Sequence, residues 1–309
     1  MATAKQSIDI ADLNGFVNLE LLAQQVVEGF ITGLHKSPFH GFSVEFAEHR
    51  LYNPGESVKN MDWKLFARTD KLFVKRFEEE TNLRCQIVID ASSSMFYPDK
   101  GLSKFKFSVM AAACLIQLLK RQRDAFGLTL FSENIDLQTP AKSTISHQKF
   151  LFGELEGFLS KEKRKAQTKI AENLHIIANQ IHKRSMVVIF SDMMDNSQTA
   201  DSQEELFAAL QHLKYDKHEV VIFNVHEQQH ELNFDFENRP HHFIDTETGL
   251  EIKVNPTMVK EAYLQKMHSQ KKELDLKCAQ YKIDLIDAAI EYGFNQVLNG
   301  WLIKRNKMG

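Results

Sequence analysis

With 309 residues, 43% of them hydrophobic, the chain is long enough and apolar enough to form one large domain, or one domain with an appendage. Its 38 basic and 41 acidic residues give a net charge of −3, which provides no reason to expect nucleic acid or an anionic membrane as a partner. Because no run of about 18 apolar residues occurs and the three cysteines lie far apart, we expect a cytoplasmic protein without a membrane span, a disulfide framework or a zinc site.

The first 80 residues are predicted to form a helix followed by a small β-rich arm. Asn18 can cap a helix whose apolar residues recur at three- and four-residue spacing as far as Gly33, a residue suited to the helix end. Turn signals at residues 53–55 then separate short β-like runs, including one over residues 72–77. We therefore assign residues 1–80 to an N-terminal segment that precedes the main domain.

From residue 81 onward, apolar strands and helices alternate, which predicts an α/β domain over residues 81–309 with a mainly parallel sheet and helices on both faces. The predicted strands are 85–89, 126–131, 186–190, 220–225 and 283–286. The predicted helices are 102–119, 148–159, 170–181, 204–213 and one that runs from 256 to 281. A hairpin inserted near residues 231–254 is predicted to pair 243–244 with 252–254 across a turn near Gly249.

The sharpest local signal is a carboxylate followed by hydroxyls directly after the first strand of this domain, in the run Asp90-Ala-Ser92-Ser-Ser94. Parallel α/β sheets bind ligands at the carboxyl ends of their strands, and residues two apart can face one site. A later strand is followed by Asp192, and Thr168 precedes another helix. Hydroxyls and carboxylates are hard oxygen donors, so this set of residues suits Mg²⁺, Mn²⁺ or Ca²⁺.

These residues resemble the metal-ion-dependent adhesion site of von Willebrand factor A domains, in which Asp-x-Ser-x-Ser is followed by a Thr and by an Asp after a later strand. The resemblance implies that Ser92, Ser94 and Thr168 bind the metal through their hydroxyls, and that Asp90 and Asp192 bind it directly or through water. It also implies that one coordination position accepts a Glu or Asp from a protein partner. The sequence departs from the family just before Thr168, where a glycine is common.

The sequence before the first strand is similar to the bacterial domain-of-unknown-function family 58. The resemblance covers about residues 15–305 and depends above all on Tyr52-Asn-Pro-Gly-Glu56 and Met61-Asp-Trp-Lys64. That family joins such a block to a von Willebrand A-like domain, and its genes commonly lie beside those of MoxR-type AAA+ ATPases. The resemblance therefore implies a MoxR-type ATPase as a partner. Many relatives carry two N-terminal membrane helices, which this sequence does not contain.

Four residues of the arm are predicted to form a structural cluster that fastens it to the α/β domain: Arg50, Asp62, Trp63 and Arg68. They match no catalytic arrangement. A buried Trp63 would contribute a large amphipathic surface to such a joint. A binding role for the group is the alternative.

Three classes of function are compatible with these features. The first, which we favour, is a metal-dependent protein-interaction module without enzymatic activity, an adaptor for a MoxR-type ATPase. The second is a metal-dependent phosphohydrolase with Asp90 as the nucleophile, but Ser92 cannot act as the general acid near neutral pH. The third is a scaffold with a non-functional metal site. Neither a Gly-x-Ser-x-Gly elbow nor a Gly-x-x-x-x-Gly-Lys loop is present, so we predict no serine hydrolase and no nucleotide hydrolase.

Overall fold

The computed structural model describes residues 18–34, 46–52, 61, 63–77, 83–160, 169–194, 200–245 and 249–308. The chain divides into two compact units, of which the larger combines residues 1–31 with 84–309 and the smaller is residues 32–83. Most of the first helix, α1 (Leu19–Leu34), thus belongs to the larger unit, whereas the sequence analysis groups it with the arm. The Leu19 N–H donates to the Glu156 carboxylate (2.9 Å), which ties the start of α1 to that unit.

Among its described residues, the smaller unit has two strands and a short helix. Strand β1 (Phe46–Leu51) pairs antiparallel with β2 (Phe73–Phe77), which coincides with the predicted run at 72–77. Helix α2 (Trp63–Thr69) lies between them in the sequence. The sequence analysis does not predict α2, because seven residues are too few for a helical period to be recognised.

The expectation that Trp63 is buried is wrong. Trp63 is the first residue of α2 and is 61% exposed. Its ring makes an edge contact with Phe66 one turn later (6.3 Å between centroids). Arg50 lies in β1, Arg68 is exposed in the last turn of α2, and Asp62 lies outside the described residues. That these four residues form a structural cluster stays a prediction.

A six-stranded sheet forms the centre of the larger unit. Its strands are β3 (Arg84–Asp90), β4 (Ala125–Phe131), β5 (Ile135–Gln138), β6 (Met186–Ser191), β7 (Glu219–His226) and a last strand, Asp284–Ala289, which is β10 in chain order. The spatial order is β10-β7-β6-β3-β4-β5, and each neighbouring pair is parallel except β4 and β5. The predicted α/β architecture with a mainly parallel sheet is confirmed, and the antiparallel edge strand β5 is an addition to it.

Helices cover both faces of this sheet. They are α3 (Lys104–Arg121), α4 (Ile145–Leu159), α5 (Ile170–Gln180), α6 (Ala200–Tyr215), α7 (Pro256–Tyr281) and α8 (Asn295–Met308). On one face, α5 and α6 share a core with strand residues such as Val88 and Ile189. On the other face, Phe107 of α3 stacks on Phe294 (5.3 Å between centroids), and Gly300 of α8 lies against Phe223 of β7. Within the described residues, each helix is too short or too polar to span a membrane.

The predicted hairpin precedes α7. Strand β8 (His241–Ile244) pairs antiparallel with β9 (Glu251–Val254), with Phe243 opposite Ile252. Phe243 belongs to an aromatic cluster with Phe234, Phe236 and Tyr263 of α7, in which Phe234 and Tyr263 are 4.5 Å apart between centroids. This cluster attaches the hairpin to α7.

Candidate metal site

The hydroxyl loop follows β3 at the carboxyl edge of the sheet, as the sequence predicts. Ser92 is fully buried, and a short 3₁₀ turn begins at Ser93. The hydroxyl oxygens of Ser92 and Ser94 lie 3.2 Å apart. Two neighbouring ligands of an octahedral Mg²⁺ ion are separated by about 2.9 Å, given metal–oxygen bonds of about 2.05 Å. The two hydroxyls are therefore close to the spacing that this ion requires.

Asp90 is the last residue of β3 and has no exposed surface. Its Oδ1 accepts a hydrogen bond from the Ser92 N–H (2.8 Å), and its Oδ2 accepts one from the hydroxyl of Ser191 (2.7 Å), the last residue of β6. Burial and the nearby charge of Asp192 raise the pKa of Asp90 to about 7. The two hydrogen bonds orient this carboxylate but do not offset the cost of burying its charge.

Asp192 follows β6 at the same edge and is 6% exposed. Its Oδ1 accepts a hydrogen bond from the Met194 N–H (3.2 Å), and its Oδ2 contacts the ammonium of Lys104 (2.9 Å). The structure thus brings Asp90, Ser92, Ser94 and Asp192 to one edge of the sheet. Thr168, the other residue of the predicted metal site, lies outside the described residues.

Lys104 is a charged residue of this edge that the sequence analysis does not identify. Its side chain is fully buried at the first position of α3, and its ammonium also contacts Glu231 (2.5 Å). Burial alone would lower the pKa of Lys104, but Asp192 and Glu231 outweigh it and raise this pKa. A lysine in the first turn of a helix opposes the helix dipole and needs carboxylate partners when it is buried, but Lys106 shares this turn and is exposed, so the sequence does not single out Lys104.

The electrostatic balance at this edge is negative. The ammonium of Lys104 contacts two carboxylates, those of Asp192 and Glu231, and the charge of Asp192 also acts on a third carboxylate, that of Asp90. Burial raises the pKa of Glu231 despite the opposing effect of Lys104, so the charged form of this carboxylate is costly here. A small divalent cation would lower the cost of these buried charges. The donor set therefore fits Mg²⁺ in both chemistry and charge.

Such an ion would depend on the serine hydroxyls. In the part of the chain that the structure describes, no group of three or more His, Cys, Asp or Glu side chains is placed to hold a metal. This excludes a cage of carboxylates and imidazoles among those residues.

Comparison with known proteins identifies relatives of unknown function. The model of a family described as Protein of unknown function DUF58 matches residues 48–273. Uncharacterized proteins of Mycobacterium tuberculosis and Mycobacterium bovis are 26% identical to the chain over 176 residues. The alignment covers 57% of this chain and 55% of each relative, so the chain spans about half the length of the curated relatives it matches.

Solved structures of low sequence identity are also similar to the chain. BatB from Bacteroides thetaiotaomicron has a TM-score of 0.48 and 15% identity, over 73% of this chain and 98% of that one. An aerotolerance-related membrane protein from Bacteroides fragilis has a TM-score of 0.44 and 18% identity, over 73% and 99%. The SpRpn10 VWA domain has a TM-score of 0.34 and 16% identity, over 47% and 76%. At these scores the similarities carry no functional inference.

Proposed function

The chain belongs to the family described as protein of unknown function DUF58, and we propose that it is a metal-dependent protein-interaction module of the von Willebrand factor A type. One observation carries the proposal: the Ser92 and Ser94 hydroxyls lie 3.2 Å apart at a sheet edge where buried carboxylates exceed the charge of Lys104. Hard oxygen donors with surplus negative charge favour a small divalent cation.

Each residue of the site has a distinct role in this proposal. Ser92 and Ser94 bind the cation through their hydroxyls, while Asp90 and Asp192 balance its charge directly or through water. Thr168 is the further hydroxyl ligand that the family resemblance implies. Mg²⁺ is the proposed ion, and Mn²⁺ and Ca²⁺ belong to the same class of hard cations. The bound ion supplies a coordination position that is open to a carboxylate.

The proposed partner presents a Glu or Asp side chain to this position. Neutral hydroxyls donate weakly, so an incoming carboxylate gains a strong ionic bond that a saturated cage of ligands would not offer. The partner is a MoxR-type AAA+ ATPase, for which the chain acts as an adaptor. The site chemistry supports the carboxylate, and the family resemblance supports the identity of the ATPase.

The chain has no catalytic activity of its own in this proposal. Asp90 has no exposed surface, and its oxygens already accept hydrogen bonds from Ser92 and Ser191. A nucleophile needs an oxygen directed at a substrate, and a phosphohydrolase also needs a general acid. Both considerations favour binding over the phosphohydrolase alternative. A scaffold with a non-functional metal site is the alternative that metal titration decides.

The test is binding of the purified MoxR-type ATPase from the same organism, measured by interferometry with Mg²⁺ and with a chelator. We expect binding in Mg²⁺, loss in the chelator, and an affinity at least about tenfold weaker for Ser92→Ala. Ser132→Ala is the matched control, because Ser132 is a hydroxyl residue just after β4 whose Oγ donates to Asp136 (2.8 Å). Binding that is indifferent to the chelator and to Ser92→Ala would contradict the proposal.

A further inference from the structure

Lys104 is placed where a lysine has no simple structural reason to be. It begins α3 after the N-cap Ser103, and its side chain is 0% exposed. An ammonium is disfavoured at a helix N-terminus, and burial removes its hydration. Hydrophobic side chains in place of the lysine and both of its carboxylate partners would fill the same volume at lower electrostatic cost. The distinctive property of Lys104 is that it contacts two carboxylates from separate parts of the chain, Asp192 at 2.9 Å and Glu231 at 2.5 Å.

Glu231 belongs to a π-helical turn, Gln228–Leu232, that is held in place on several sides. The Glu227 carboxylate caps the turn by accepting backbone N–H groups from residues 229, 230 and 231. The second carboxylate oxygen of Glu231 accepts the Glu227 N–H (2.9 Å). Its backbone carbonyl accepts the hydroxyl of Tyr263 in α7 (2.9 Å). A change in the position of Glu231 would therefore move the turn and its contact with α7.

We infer that Lys104 is a positioning residue that couples metal binding at the Asp90–Asp192 edge to the conformation of the turn Gln228–Leu232. This inference rests on the proposed function. Asp192 and Glu231 share a single ammonium, and a cation beside Asp192 would repel that ammonium and attract the carboxylate of Asp192. Lys104 then shifts its interaction toward Glu231. Because coupling between two sites is reciprocal, a partner that contacts the turn also alters the metal affinity.

The experiment measures amide hydrogen exchange in residues 228–232 and Mg²⁺ affinity by calorimetry, on the full chain. Lys104→Met removes the shared ammonium, and Glu231→Gln weakens one of its two contacts while Lys104 and Asp192 stay in place. Lys304→Met is the matched control, because Lys304 also lies between two carboxylates, Glu219 (2.7 Å) and Asp284 (2.8 Å), at the opposite edge of the sheet.

In the wild type, Mg²⁺ should change exchange in the turn by at least about fivefold. Lys104→Met should abolish this response, whereas Lys304→Met should keep it. Glu231→Gln should weaken Mg²⁺ binding by about fivefold, although Glu231 is not a proposed ligand. If Lys104→Met does not fold, this variant alone tests the coupling. A wild type that takes up Mg²⁺ without a change in the turn overturns this inference alone. A wild type that takes up no Mg²⁺ overturns the proposed function as well.

Discussion

The sheet carries a buried lysine between two carboxylates at each of its two edges, and the two clusters differ in charge balance. At the amino edge, Lys304 of α8 contacts Glu219 and Asp284, the first residues of β7 and β10. These carboxylate side chains are 40% and 35% exposed, so water shares their charge. Burial alone would raise the pKa of Glu219, but Lys304 and Lys214 outweigh it and lower this pKa.

At the carboxyl edge, burial is more complete. The side chains of Asp192 and Glu231, which contact Lys104, are only 2% and 16% exposed, and Asp90 adds a third carboxylate without any exposure. Here the pKa of Asp90 and that of Glu231 are both raised by burial. The same ionic arrangement therefore involves partly hydrated carboxylates at one edge and buried carboxylates, whose charged forms are costly, at the other.

The largest expected effect separates the two lysines. Without Mg²⁺, Lys104→Met should lower the free energy of unfolding by about 3–5 kcal/mol, because it leaves buried carboxylates unpaired. Lys304→Met should cost roughly 1 kcal/mol or less, since its partners are partly hydrated. Urea unfolding of both variants and the wild type measures the difference. Equal losses would mean that the two edges do not differ in the way described.

The second prediction concerns close packing in the amino half of the sheet. A Cβ atom at Gly127 of β4 would lie 2.8 Å from the Thr139 carbonyl oxygen and would also overlap the Gln86 side chain. We expect Gly127→Ala to cost about 1–3 kcal/mol of stability. Gly153→Ala in α4 is the control, because no atom lies within 4 Å of its Cβ position. It should be neutral or stabilise by up to about 1 kcal/mol. A neutral Gly127→Ala would show that this region can relax.

The third prediction concerns pH and again the amino edge. His147 bonds to the carbonyl oxygen of Phe126 (3.1 Å), and burial, aided by Lys142, lowers the pKa of His147. As pH falls below about 6.5, the imidazole of His147 takes up a proton more readily in the unfolded chain than in the folded chain. The free energy of unfolding therefore decreases over this range. Between about pH 7.5 and pH 5.5, the wild type should lose more stability than His147→Gln. If chemical denaturation shows that both proteins lose the same free energy of unfolding, His147 does not contribute to the pH dependence of stability.

The smallest effect is expected in the smaller unit, at Trp63. Since Trp63 is 61% exposed, Trp63→Ala should change the free energy of unfolding by no more than about 0.5 kcal/mol. Thermal and urea unfolding measure this directly. A loss of several kcal/mol would instead support the sequence-based prediction that Trp63 is buried.

Part of this account could be predicted from the sequence because it depends on local patterns and one topological rule. Apolar runs marked the five longer strands, and parallel strands end at one edge, which placed Asp90 and Asp192 together. Strand β5 escaped prediction because its four residues contain only two apolar side chains, Ile135 and Leu137. Its pattern is too short to distinguish from a loop.

The pairing of Lys104 with Glu231 could not be predicted. The two residues are 127 positions apart, and their contact depends on a π-helical turn that has no periodic signal of its own. The exposure of Trp63 was equally hidden, since a large aromatic residue packs against a distant core or against its own helix according to tertiary context. Sequence reasoning therefore placed Asp90 and Asp192 at one edge of the sheet but missed the lysine that contacts Asp192.

The most direct test of the central claim is calorimetric titration of Mg²⁺ into the metal-free chain. We predict saturable uptake of a single ion per chain, with affinity reduced at least about tenfold in Ser92→Ala and unchanged in Ser132→Ala. An absence of binding heat at several temperatures, or equal affinity in the wild type and Ser92→Ala, would contradict the claim that the Ser92 and Ser94 hydroxyls bind a divalent cation.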